Sequence, residues 1–201
     1  MTVASIKNVA LRHFAAKGYD GTPLSAIAKE VGIKTPSLYA HFESKEQLFF
    51  SVFDDVMEEQ AQRLEKLIES VRGEPLERKL YLILAETCSN YLLDEDKAAF
   101  VKRSMLFPPA HLEQELQARF LLAEAKQSAF LRELFEAGVR EGTLSSHRAD
   151  DMLAAYYCLL DGSFVQMLYY GPKLFQERLQ TVWTIFWRGI TDPQKLPQEF
   201  S

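Results

Sequence analysis

The chain predicts an all-α fold of about nine helices. Three observations carry that expectation. Apolar residues recur at spacings of three and four along almost the whole chain. Glycine and proline fall between these stripes, where helices stop and restart. No run alternates apolar and polar residues as a half-buried strand would.

Residues 3–17 predict the first helix, which Gly18 ends before a Tyr19–Asp20–Gly21 turn. Thr22 is the expected N-cap of the second helix and Pro23 its first residue, where a missing N–H costs nothing. Leu24, Ile27, Ala28 and Val31 give that helix one apolar face, and Gly32 closes it. Thr35 and Pro36 restart the chain as a third helix, with Leu38 and Phe42 turned inward. Ser44 is the expected cap of a long helix that carries Leu48, Phe49, Val52, Phe53, Val56 and Met57 and runs to about Val71. Pro75 opens the next, through Leu80, Ile83, Leu84 and Cys88. A short helix through Phe100, Val101 and Met105 stops before Pro108–Pro109. A long amphipathic segment covers about Ala110 to Glu141 and closes at Gly142. Ser146 is the expected cap of a helix reaching Gly171, and Pro172 begins the last one.

The second and third of these helices form a helix–turn–helix corner. Such a corner places its second helix in the DNA major groove. Ser37, Tyr39, Ala40 and His41 are left on the outer face of that helix. Hydroxyl and imidazole groups bond phosphate oxygens, and a small Ala40 admits a thymine methyl. Lys34 and Lys45 bracket the helix and can each neutralise a phosphate. Thr22, Thr35 and Pro36 complete the candidate DNA-facing set. A plain surface hairpin would show the same corner. What separates the two is that no Asp or Glu lies between Ile33 and Phe42 in an otherwise acidic protein.

With ALRHFAAKGYDG before it and EQLFFSVF after it, this segment resembles the amino-terminal domain of the TetR (tetracycline repressor) family. The matching residues are Val9, Ala10, Phe14 and Ala15, the Gly18–Tyr19 and Ile27–Ala28 pairs, Gly32, Leu38 to Phe42, Lys45, Leu48 and Phe49. Ser25–Ala26 departs from the polar or acidic pair often found before Ile-Ala. The resemblance implies a homodimeric, ligand-responsive transcriptional repressor of nine helices. It places Ser37, Tyr39 and His41 at DNA-contact positions and Lys45 at a phosphate-contact position. Double-stranded operator DNA, a second copy of the chain and a small-molecule effector are the partners it implies.

Composition agrees with that expectation. The 201 residues are 47% hydrophobic, which argues for a folded globular protein and against disorder. No apolar run reaches the length of a membrane span and no signal peptide is recognisable, so a cytoplasmic protein is expected. Net charge is −5, unevenly spread. Residues 1–50 hold six basic and four acidic side chains, a net +2, and the remainder carries −7. Cys88 and Cys158 fit no zinc spacing and read as buried free thiols. The four histidines form no i,i+4 pair, so neither a metal nor a cofactor is expected. GxSxG, P-loop, GxGxxG and HExxH motifs are absent, so no enzyme is expected. The rival reading is a helical adaptor or small-molecule-binding protein that never meets DNA.

The expected organisation is a DNA-binding domain over 1–45, a connecting helix over 46–71, a ligand-binding and dimerisation domain over 72–191, and a loose tail over 192–201. Aromatic and polar residues of the body suit an apolar cavity with a few polar handles. The candidates are Tyr91, Phe100, Arg103, Phe107, Phe120, Gln127, Tyr156, Asp161 and Phe164. The last two helices hold more apolar surface than one core needs, and Leu160–Asp161–Gly162 matches a pattern common in the family. They are expected to pair with a second copy as a four-helix bundle. Tyr157, Val165, Leu168, Phe175, Leu179, Trp183 and Phe186 are the candidate dimer residues.

Overall fold

The computed structural model describes residues 2–90 and 94–191, without the side chains of Asn90 and Leu168. Among these residues it holds nine α-helices and no strand. They are α1 Val3–Lys17, α2 Leu24–Val31, α3 Thr35–Tyr39, α4 Lys45–Ser70, α5 Leu76–Asn90, α6 Glu95–Leu106, α7 Glu113–Arg140, α8 Ala149–Tyr170 and α9 Pro172–Thr191. The candidate Tyr91 and the tail 192–201 lie outside the described residues.

The helix ends follow capping chemistry, with corrections to three expected caps. Ser44 caps α4 as expected, its Oγ accepting from Gln47 N at 3.0 Å, while Gln47 Oε1 accepts from Glu43 N at 2.6 Å. Gly18, Gly32, Gly142 and Gly171 all have positive φ, which an L side chain resists. Thr22 does not cap α2; Pro23 is the N-cap and makes no side-chain bond. Lys34, not Thr35, is the N-cap of α3, and Arg148, not Ser146, that of α8.

Thr22 instead is 0% exposed. Its hydroxyl lies 2.8 Å from Gly18 O and 3.1 Å from His13 O, its one proton shared between the end of α1 and the turn. Thr22→Val keeps the shape and removes that donor. It is expected to destabilise the head by about 1–2 kcal/mol in denaturant unfolding. A midpoint unchanged from wild type would show that the hydroxyl contributes nothing.

The chain forms two compact units, with the switches after Arg63, around Asn90 and after Ala123. The first holds α1–α3, most of α4, α6 and the start of α7; the second holds the end of α4, α5, the rest of α7, α8 and α9. This differs from the linear division expected, because α6 packs on α1. Phe100 and Val101 of α6 enter the same core as Ile6, Ala10, Phe14, Ile27, Leu38 and Phe49. The rings interlock edge to face, Phe14 on Phe49 at 5.1 Å and Phe49 on Phe100 at 5.3 Å. This packing, rather than helix propensity, is what holds the short helices α2 and α3.

In the second unit α5, α8 and α9 pack together. Tyr156 is fully buried and its hydroxyl donates to Leu80 O at 2.8 Å. Gly138 leaves room for Leu76 and Leu144, which a Cβ would meet at 2.5 and 2.7 Å. Cys88 is buried, and that burial pushes its thiol up to about 12. Cys158 is exposed, contrary to the expectation of a buried thiol. A helical residue beside an apolar stripe still faces solvent when its own side of the helix is not packed.

Candidate nucleic-acid interface

The corner between α2 and α3 is fixed by backbone bonds. Gly32 takes φ 82° and ψ 31°, which lets Ile33 N reach Ala28 O at 2.9 Å. α3 is five residues long and ends with His41 N and Phe42 N both on Leu38 O at 2.9 Å. Leu38 and Phe42 are buried and anchor it. Lys34, Pro36, Ser37, Tyr39, Ala40 and His41 are exposed, Tyr39 to 55%, and Thr35 is half-buried. Among the described residues the side chains of Lys34, Ser37, Tyr39 and His41 have no hydrogen-bond or ion-pair partner. The face predicted to meet DNA is therefore uncommitted. Thr22 is the exception, a correction to the predicted set: it is buried and bonded, so it reaches no phosphate.

Several carboxylates elsewhere in the first unit are paired with bases. Glu30 accepts from Arg12 at 2.7 Å and lies 2.8 Å from His13 Nε2, and these bonds hold its carboxyl below the usual range, Arg12 first. Lys7 pairs with Asp55 at 2.8 Å, and Arg119 with Asp54 at 2.6 Å. Lys45, at the first residue of α4, has no such carboxylate partner among the described residues. Its ammonium lies 4.2 Å from the centre of the Tyr19 ring, and burial there lowers its pKa. The sequence marks Tyr19 only as part of a Gly-Tyr pair and of the turn after α1. A contact between residues so far apart in the chain leaves no periodic trace.

A short, exposed, acid-free helix on a glycine-closed corner agrees with what the comparisons return. Residues 6–52 match the family described as bacterial regulatory proteins, tetR family. This helical head is similar to the tetR family. Its matched segment is 55% identical over 40 residues to IcaR of Staphylococcus aureus, the negative transcriptional regulator of the biofilm operon icaADBC. That segment is 20% of this chain and spans only 22% of the relative's length. A likeness of fold extends over nearly the whole chain. FadR from Bacillus subtilis, in complex with stearoyl-CoA, superposes with a TM-score of 0.74. Identity there is 18%, over 94% of this chain and all of that one. A regulator from Saccharomonospora viridis in complex with choline gives 0.68 at 18% identity, over 91% and 93% of the two chains.

The predicted effector residues fall in both units. In the first unit, Phe100 is core. Phe120 packs edge-on to Phe53 at 4.9 Å. Phe107 is exposed at the end of α6. Arg103 donates to Ala15 O at 2.7 Å and Ala16 O at 3.0 Å, holding the last turn of α1, so it is no free handle. In the second unit, Tyr156 spends its hydroxyl on Leu80, and Phe164 is buried. Gln127 is half-buried, and its Nε2 is buried without a hydrogen-bond partner. Asp161 is exposed as a residue, yet desolvation of its carboxyl raises its pKa.

The predicted dimer residues also divide. Phe175, Leu179 and Trp183 turn into the second unit's own core, a correction to the expected outer face. Trp183 packs on Tyr81 at 5.6 Å, and Phe186 on Tyr156 at 6.0 Å. Tyr157 is half-buried, 2.9 Å from Ser128 Oγ, and its phenol is pushed up to about 12 by burial. The side chain of Leu168 lies outside the described residues. Val165 is exposed, and with it stand Tyr169 on α8 and Val182 and Ile185 on α9.

Proposed function

We propose that this chain is a tetR-family transcriptional repressor that binds a palindromic operator as a homodimer and is released by a small, largely apolar ligand. The observation that carries this reading is the outer face of α3, where Ser37, Tyr39, Ala40 and His41 stand exposed and no carboxylate accompanies them. The repressor relative named above supports the sign of regulation. The dimer face we assign is the exposed strip of Cys158, Gly162, Val165 and Tyr169 on α8 with Val182, Ile185 and Gly189 on α9. Small residues beside large apolar ones let two such helix pairs approach closely. Regulators of the same fold that hold stearoyl-CoA and choline support a small-molecule effector. In this chain, Gln127 and Asp161 are the polar groups of the second unit best suited to meet it, with Phe164 as apolar lining. A ligand releases DNA only if it binds the DNA-incompatible form better. The protein is assigned to the cytoplasm, where operator DNA is found; among the described residues no helix is long and apolar enough to cross a membrane.

Footprinting on the protein's own upstream DNA tests the reading, with protection of a two-fold symmetric site as the expected result. Lys45→Ala should then weaken all sequences alike and lower the salt slope by about 1 per protomer, as loss of one phosphate contact does. A variant with altered base preference would show that Lys45 reads sequence instead. No protected site at any concentration would leave the adaptor reading standing.

A further inference from the structure

We infer that Tyr19 is a positioning residue for Lys45, its ring fixing the ammonium where the DNA backbone is met; this rests on the DNA-binding reading above. Lys45 Nζ stands 4.2 Å from the centre of the Tyr19 ring. The negative face of an aromatic ring attracts a cation at that distance. The ring itself cannot swing. Phe14 stacks along it at 6.2 Å, and Phe49 and His111 meet it edge-on, each at 5.3 Å. The turn that carries Tyr19 is in turn held by Arg103, which bonds the carbonyls of Ala15 and Ala16.

The charge so held is also uncommitted. Lys7 and Lys97 spend their ammonium groups on Asp55 and on Glu59 with Asp94. Lys45 makes no ion pair or hydrogen bond among the described residues; the Tyr19 ring is its close contact, and Asp20 attracts its charge without bonding it. A ring attracts a cation without neutralising it, so the phosphate attraction remains. A free lysine loses rotamer freedom when it binds a phosphate, whereas one already seated loses less. Partial desolvation on the ring lowers the pKa of Lys45, in keeping with an ammonium lodged there rather than one in open water.

The test is a double-mutant cycle on the full chain, read by fluorescence anisotropy with the DNA fragment that wild-type protein protects. Tyr19→Phe keeps the ring and should bind within about twofold of wild type, since the cation meets the same face. Tyr19→Leu should weaken binding about fivefold or more when two protomers dock. In the Lys45→Ala background the same change should alter affinity by less than about twofold, because the partner it positions is gone. Equal losses in both backgrounds would overturn the inference and place Tyr19 in head packing alone. Leucine also disturbs the contacts with Phe14 and Phe49, so a second variant carries 3,5-difluorophenylalanine at position 19. It has nearly the same shape and a weaker negative face. Weaker binding than Tyr19→Phe, lost in the Lys45→Ala background, supports the inference, and binding equal to Tyr19→Phe overturns it. Wild-type protein that protects no DNA would instead sink the regulator reading, and that measurement precedes the variants.

Discussion

Replacing Tyr39 and His41 together by alanine is expected to abolish specific operator protection while helix content and unfolding midpoint stay as they are. Both side chains are exposed and bond to nothing among the described residues, so the fold loses no bond there. Surface changes of that kind usually stay within about 0.5 kcal/mol. The loss falls on DNA alone, where missing phosphate bonds and groove fit together should cost at least ~2 kcal/mol per protomer, about thirtyfold. Nonspecific binding should survive, because Lys34 and Lys45 keep their charges. A double variant that protects the same site at the same concentration would show that another element reads the DNA. Circular dichroism measured beside the footprint separates lost recognition from lost structure.

Ile185→Glu is expected to give a folded monomer, and Trp183→Glu an unfolded second unit. Ile185 is 67% exposed in the single chain, so a carboxylate there stays hydrated until a second copy approaches. Pairing would then bury an unpartnered charge, at a cost of several kcal/mol. Trp183 is only 5% exposed and lies against Tyr81, Phe186 and Trp187 within its own chain. A charge there is buried whether or not a partner is present. Sedimentation should show Ile185→Glu at half the wild-type mass with an unchanged melting curve. Operator affinity should fall roughly a hundredfold or more, since the second half-site no longer adds its share. An Ile185→Glu protein that sediments as wild-type dimer would rule out this face. Half-sites one helical turn apart require two reading helices, so the dimer variant also tests the palindromic reading.

The reading helix was legible because its evidence is local. Gly32 closes α2 at the position predicted, and Leu38 and Phe42 turn inward four residues apart. Ser44 caps α4 through Gln47 three residues on. Each of these depends on neighbours within one turn, and sequence spacing reports such neighbours directly. The same logic failed at Thr22, where cap chemistry was read correctly in type and wrongly in target. A hydroxyl before a helix usually serves that helix, but here the chain folds back and offers the end of α1 instead.

By itself the sequence determined the all-α class, the helix boundaries to within a few residues, the corner at Gly32 and the acid-free face between Ile33 and Phe42. Those follow from the 3.6-residue period and from the limits glycine and proline set on the backbone. Only the tertiary structure decided which apolar face of α9 turns inward. Phe175, Leu179 and Trp183 lie on one side and Val182 and Ile185 on another, and both sides are apolar enough to be buried. It also decided that α6 packs on α1, that Arg103 holds the end of α1, and that Lys45 rests on Tyr19. Each of these joins residues 26 or more positions apart in the sequence. Periodicity records which residues share a face of one helix, but the choice of neighbour for that face is made by competition among all the faces the chain brings together.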